Sequence, residues 1–188
     1  MPLVEIVPPA FDLDLDLRYA TADNVTGKAI YASDARAYLL PEAAELLDRA
    51  VALARPLGYR LKVFDAFRPS EAQWRLWNTY PSDEFVADPR RGSPHSRGAA
   101  VDLTLVDMEG RELEMGTGFD SFTPQAHHAR TDISLAAQRN RAVLLGIMTA
   151  AGWDFFKNEW WHYQLFNARA RFPLFSDSAL TKTMMAPD

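Results

Sequence analysis

The sequence predicts an α+β domain with a largely antiparallel central sheet and flanking helices. Three observations predict it. Segments rich in β-branched and aromatic residues, at 59–67, 99–106, 153–156 and 160–166, are separated by two long stretches of helical periodicity. The last two of these strands follow each other too closely for the crossover helix that a doubly wound parallel sheet needs. Finally, 188 residues with 48% hydrophobic content, no internal repeat and no low-complexity linker amount to one domain with one core.

Each element has its own local cause. Residues 11–17 read Phe-Asp-Leu-Asp-Leu-Asp-Leu, a period-two alternation that suits a half-buried strand. Pro41 opens a helix whose Leu46, Leu47, Ala50, Leu53 and Ala54 share a face, and Pro56 with Gly58 end it. Residues 59–67 form the next strand, broken by Arg68-Pro69-Ser70, and a helix over 71–80 follows, with Trp74 and Trp77 spaced to pack into the core. The Pro-, Gly- and Ser-rich stretch 81–98 reads as loop, 99–106 as a strand, and 107–122 as turns with a short hairpin. Ser134 caps a helix carrying Val143, Leu144, Ile147, Met148 and Ala151, which Gly152 stops before the two closing strands. Residues 181–188 lack any pattern, so the domain is expected over 1–180 with a frayed tail.

Composition excludes several function classes. With 20 Lys plus Arg against 25 Asp plus Glu, the chain has a formal net charge of −5 and no sequence-wide basic footprint for nucleic acid. Glu5, Asp12, Asp14 and Asp16 interrupt every apolar run near the start, and no basic leader precedes them. No signal peptide and no membrane span are expected, and the cytoplasm is the expected location. Asn24-Val25-Thr26 fits a glycosylation triplet and is read as an ordinary loop. The absence of cysteine removes disulfides, thiol nucleophiles, iron–sulfur clusters and thiolate metal sites. A transition metal would have to be held by His95, His127, His128 or His162 together with carboxylates.

Three segments concentrate chemistry-bearing residues: 65–69 (DAFRP), 93–102 (SPHSRGAAVD) and 159–162 (EWWH). Asp102 stands inside an apolar strand, where a carboxylate is costly to bury without a partner or a metal. Gly98 allows a sharp turn that folds His95 back toward it. The alternative is an Asp102 that faces solvent from an edge strand, beside an unremarkable loop histidine. His162 sits among Trp160, Trp161 and Tyr163, as a metal ligand or as a satisfied core histidine. If the pieces converge, His95, Asp102 and His162 make a three-ligand zinc site with the fourth position open to water, the pattern of catalytic zinc. Glu159 is then the proton acceptor and Arg68 the stabiliser of the oxyanion, in place of a plain surface arginine. Residues three apart on a straight strand face opposite ways, so Glu159 must sit at a bend to share a site with His162. The His127-His128 doublet lies in a polar stretch and is assigned a surface or supporting role. No HExxH, phosphate-binding glycine loop, dinucleotide fingerprint or GxSxG elbow is present, and Ser93 and Ser96 form no ordered nucleophile set.

The segment Ser93-Pro94-His95-Ser96-Arg97-Gly98-Ala99-Ala100-Val101-Asp102 followed by Glu159-Trp160-Trp161-His162 resembles the zinc D,D-peptidase superfamily, which shares its fold with hedgehog-type domains. Further strings sharpen the likeness to its D-alanyl-D-alanine dipeptidase branch: Arg18-Tyr19-Ala20-Thr21, Asp65-Ala66-Phe67-Arg68-Pro69, Asp102-Leu103-Thr104-Leu105 and Met115-Gly116-Thr117 with Phe119-Asp120. The resemblance runs from about residue 4 to 175. It implies cleavage of D-alanyl-D-alanine to two D-alanines by one Zn²⁺ on His95, Asp102 and His162, with Glu159 as general base and Arg68 on the oxyanion. It further implies that Tyr19 and Asp120 bind the substrate ammonium and that Ser93 lies near its carboxylate. Residues 78–92 are shorter than the matching stretch of family members, which tends to wall the cavity, so a wider mouth is expected. A D,D-carboxypeptidase acting on longer peptidoglycan peptides and a non-catalytic zinc-binding module are the competing readings. The partner is a small dipeptide, with neither nucleic acid nor membrane, and oligomeric state is left open.

Overall fold

Leu61 and Val63 alternate with Arg60 and Lys62, burying one face of a strand whose last residues are buried on both. That strand and its neighbour organise the rest. The computed structural model describes residues 2–82 and 84–187. In chain order the elements are β1 (Val4–Ile6), β2 (Asp14–Leu15), β3 (Ala37–Leu39), α1 (Pro41–Ala54), β4 (Arg60–Asp65), α2 (Ser70–Thr79), β5 (Ala100–Val106), α3 (Leu135–Ala151), β6 (Asp154–Phe155), β7 (His162–Gln164) and α4 (Ala168–Arg171). The main sheet runs β2-β4-β5-β7-β6. Its β4–β5, β5–β7 and β7–β6 pairs are antiparallel, and only β2 joins β4 in parallel. The expected α+β class and mostly antiparallel sheet are therefore present. Among the described residues, no helix is long and apolar enough to cross a membrane.

The apolar stripe of α1 (Ala43, Leu47, Ala50, Ala54) and that of α3 (Leu144, Ile147, Met148, Ala151) are buried in one core with Leu61, Val63, Leu103 and Leu105. Ser134 caps α3 as expected: its Oγ accepts from the Ala137 amide at 3.0 Å, and Gly152 ends the helix at φ +109°. All seven residues of β5 are buried, as befits a strand with neighbours on both sides and packing on both faces. A second cluster lies beyond the site end of the sheet, built from Tyr19, Tyr31, Phe67, Leu76 and Met184.

Several expectations need correction. The alternation at 11–17 yields only the two-residue β2, because tight turns at Phe11 and Leu13 bend the chain before it. The closing strands are shorter than 153–156 and 160–166, since residues 156–162 fold into consecutive turns. The hairpin at 107–122 reduces to a single bridge between Val106 and Glu112. The small β1–β3 sheet was not foreseen. Trp77 packs against the second cluster, but Trp74 is 43% exposed. The tail does not fray at 184–186: Met184 is 1% exposed, Tyr31 bridges Met185, and the Ala186 amide donates to Ile30 O at 2.9 Å. Asn24 is a turn organiser, its Nδ2 donating to Thr21 O and Lys28 O.

Candidate active site

Strand register does most of the positioning. Asp65 of β4 stands opposite Asp102 of β5, which stands opposite His162 of β7. Three polar residues thus lie abreast across three adjacent strands. A shift of register between Val63 and Asp65 marks a bulge there, a device that re-aims a side chain. Since β5 is interior to the sheet and Asp102 is 2% exposed, the solvent-facing edge-strand alternative is excluded.

His95 arrives from a buried single turn of 3-10 helix over His95–Arg97. Gly98 ends the turn at φ +64°, and its carbonyl accepts from the Leu40 amide at 2.8 Å. An added Cβ there would sit 2.6 Å from Leu3 Cδ2 and 3.2 Å from Leu40 N, so glycine is required twice over. Ser93 Oγ accepts from the His95 amide at 3.1 Å, and His95 O accepts from the Arg68 amide.

The histidine tautomers follow from their outer partners. His95 Nδ1 lies 2.7 Å from Ala66 O, which can only accept, so Nδ1 carries the proton and Nε2 presents a lone pair. His162 Nε2 donates to Gln164 Oε1 at 3.1 Å, leaving the Nδ1 lone pair facing inward. His95 Nε2, His162 Nδ1 and Asp102 Oδ1 are then 3.1, 3.1 and 3.3 Å from one another. With those tautomers three lone pairs converge, a donor set suited to a cation. Ligands of a tetrahedral ion at ~2.0–2.1 Å are about 3.3 Å apart, so the donor set fits a zinc-sized ion. These residues are the metal-competent cluster found among the described residues.

Glu159 sits in the turn before β7, as the bend argument required, with its Oε2 3.9 Å from His162 Nδ1. Burial pushes its pKa well up, and Asp102 and Asp120 add to that while Arg68 opposes them. Arg68 is 6% exposed. Its Nε donates to Asp65 Oδ2 at 2.9 Å and its Nη1 to Gln73 Oε1 at 3.0 Å, while Nη2 lies 3.5 Å from Asp102 Oδ2. Burial would lower the Arg68 pKa, but Tyr19, Asp65, Tyr31 and Asp102 outweigh it and keep the guanidinium charged. Its central carbon also lies 4.8 Å from the Tyr19 ring centroid. Tyr19 Oη donates to Asp120 Oδ1 at 3.1 Å, and Asp120 Oδ2 accepts from the Val25 amide. Asp120 holds φ +57°, a left-handed conformation uncommon outside glycine, and burial pushes its pKa up to about 7. Glu159, Arg68, Tyr19 and Asp120 line one cavity of about 540 Å³ together with His95, Asp102, His162 and Ser93.

A family model described as D-ala-D-ala dipeptidase matches residues 1–178. The chain belongs to the D-Ala-D-Ala dipeptidase family. The D-alanyl-D-alanine dipeptidase of Escherichia coli K12 is 43% identical over 175 residues, covering 93% of this chain and 90% of the relative. Those of Enterococcus faecium and Streptomyces coelicolor are each 36% identical over 170 residues, covering 80% of this chain and 84% of the relative. This is a family of metallopeptidases, and the His95–Asp102–His162 cluster supplies the matching metal-competent group.

Within this dipeptidase framework the residues proposed from the sequence as ligands, base, oxyanion stabiliser and substrate contacts reach one cavity. Tyr19, Arg68, Ser93, His95, Asp102, Asp120, Glu159 and His162 all line it. His127 and His128 stay outside the donor cluster and pack on Phe85 and Phe155. The hydroxyl of Ser93 meets the His95 backbone, and that of Ser96 has no hydrogen-bond partner among the described residues, so neither serine is paired with the imidazole. Two supporting residues were missed. Asp65, fully buried, accepts from Tyr31 Oη at 2.8 Å as well as from Arg68. Gln73 receives Arg68 and donates to Ala87 O at 2.7 Å. An acid closing an apolar strand signalled the first; nothing in the sequence marked the second.

Proposed function

We propose that the protein is a zinc-dependent dipeptidase that hydrolyses D-alanyl-D-alanine to two D-alanines. The observation that carries this is the convergence of three unprotonated ligand atoms beside a buried carboxylate and a buried guanidinium in one cavity. The family match and the printed activity of the relatives supply the substrate.

His95, Asp102 and His162 would hold the ion. When bound, zinc polarises the scissile carbonyl and brings the pKa of water from ~15.7 to about 7. Glu159 takes a proton from the attacking water and returns it to the departing amine nitrogen, so that water's hydroxyl ends on the carbonyl carbon and its proton on the amine. A carboxyl with a raised pKa suits a group that must both accept and release a proton. Arg68, fixed by Asp65 and Gln73, directs remaining N–H groups to the oxyanion, with no reorganisation needed as charge develops. Asp120 and Tyr19 receive the substrate ammonium, and Ser93 lies toward the carboxylate.

Turnover of D-Ala-D-Ala, L-Ala-L-Ala and N-acetyl-D-Ala-D-Ala by the zinc-loaded chain tests this. The free D,D-dipeptide is expected to be cleaved at least ~100-fold more efficiently than the acetylated one, because a buried Asp120 left without its ammonium is costly. Preference for the acetylated peptide would identify a carboxypeptidase. Zinc binding without cleavage of any peptide would identify a binding module.

A further inference from the structure

The cavity is larger than the proposed substrate. Dialanine's roughly eleven non-hydrogen atoms fill no more than about 330 Å³ even if each takes the ~30 Å³ of a liquid water molecule. The cavity holds about 540 Å³. The unused space has a chemical character at one end. Phe85 and Phe122 both line it, stacked with ring centroids 5.0 Å apart and planes 11° from parallel. Tyr80 packs on the other side of Phe122 at 5.0 Å. Both phenylalanines remain partly exposed although neither is a surface residue by size or hydropathy.

The wall is placed and fixed. Phe122 is two residues beyond Asp120, and it packs against the same cluster as Tyr19 and Leu76, the latter also lining the cavity. Asp154, Phe156 and Gln164 line the cavity from β6, β7 and the turn between them. The segment bearing Phe85 is tied at both ends, by Gln73 Nε2 to Ala87 O at 2.7 Å and by Asn158 Nδ2 to Glu84 O at 3.4 Å. Glu84 Oε1 also lies 3.4 Å from His127 Nε2, and the His127 ring packs on Phe85 at 5.8 Å.

We propose that Phe85 and Phe122 form a side-chain subsite for the N-terminal residue, which fits the enzyme for dipeptides with a large apolar or aromatic D-residue ahead of D-alanine. The proposal rests on the reading that Asp120 and Tyr19 hold the ammonium. A side chain branching from the carbon that bears that ammonium would extend into the part of the cavity that Phe122, two residues after Asp120 and packed on the Tyr19 cluster, helps to line. A methyl group leaves the wall wet; a benzyl group covers it and removes apolar area from water. An aromatic ring can also meet the exposed ring edges of this wall in an edge-to-face contact.

The test is calorimetric binding of D-Phe-D-Ala, D-Ala-D-Ala and D-Ala-D-Phe to the zinc-loaded full-length Glu159→Gln protein, which needs no turnover. D-Phe-D-Ala is expected to bind about tenfold tighter than D-Ala-D-Ala, and D-Ala-D-Phe to gain nothing. Equal or weaker binding of D-Phe-D-Ala, or a gain for D-Ala-D-Phe instead, overturns the subsite. Phe122→Ala, and separately Phe85→Ala, should each reduce the ratio of the two affinities; a ratio unchanged in both overturns it as well. The ratio of KM values for D-Phe-D-Ala and D-Ala-D-Ala in the wild-type enzyme gives the same comparison without any substitution. Cleavage of D-Ala-D-Ala by the wild type, measured alongside, separates the two claims: an active dipeptidase without the preference refutes the subsite alone.

Discussion

Asp102 is a carboxylate in the middle of a strand that is otherwise apolar, and its surroundings explain why it is tolerated. Burial alone would raise its pKa, but His95 and His162 reverse this and hold it well below the usual carboxylate range. Glu159 shifts the other way, because burial together with the charges of Asp102 and Asp120 outweighs Arg68. The two acids thus divide in the way the proposed roles need, Asp102 as a ligand that stays ionised and Glu159 as a base that exchanges its proton. Glu159→Gln should lower kcat by about 10²–10⁴-fold while one zinc per chain is retained, as metal analysis beside steady-state kinetics will show. Loss of the metal in that variant would mean that Glu159 is a ligand. A different residue governs acid stability. Burial, reinforced by Arg141, lowers the His128 pKa from 6.5 to about 4. Between those values the unfolded chain binds the proton and the folded chain does not, so stability is full above about pH 6.5 and falls as pH drops toward 4. His128→Asn should remove that part of the loss, measured as the difference in urea unfolding free energy between variant and wild type at pH 7.5 and pH 5.

At the scale of elements, what the sequence showed depended on length. The long helices and β5 were legible because ten or more residues of periodicity, or a mostly apolar run that only Asp102 and Thr104 interrupt, outvote local accidents. The three-residue strands β1 and β3 were not, and β2, β6 and β7 are shorter than the segments that announce them, since pairing partners decide such short strands and period does not. The site followed the same rule. His95, Asp102 and His162 could be read because their residue types are rare in such settings and a family pattern joins them. Gln73 could not, because a glutamine on an amphipathic helix looks like any surface glutamine until Arg68 and Ala87 are seen around it. The loop turn that delivers His95 is sensitive to change. Gly98→Ala forces an L-residue into left-handed backbone and drives a Cβ toward Leu3 and Leu40 N. A loss of about 1–3 kcal/mol in unfolding free energy is expected, with weaker zinc retention, by denaturant titration and competition with a chelator. Unchanged zinc affinity in a destabilised variant would separate the turn from the site.

On the scale of the whole molecule, the site is where separate parts of the chain agree. β4, β5 and β7 bring Asp65, Asp102 and His162 abreast; the 93–98 turn adds His95, and the segments around Tyr19 and Asp120 add the far wall. The C-terminal residues take part too, since Met184 is buried in the cluster with Tyr19 and Tyr31, and Tyr31 in turn holds Asp65. One fold thus sets the proposed metal ligands, base and ammonium site relative to one another, and their function as a unit is the central claim. Titration of zinc into metal-stripped protein, read as D-alanine released from D-Ala-D-Ala, tests it most directly. Activity should be absent at the start, rise linearly and break at about one equivalent per chain. Full activity in the stripped protein, or none at any zinc level, would contradict it.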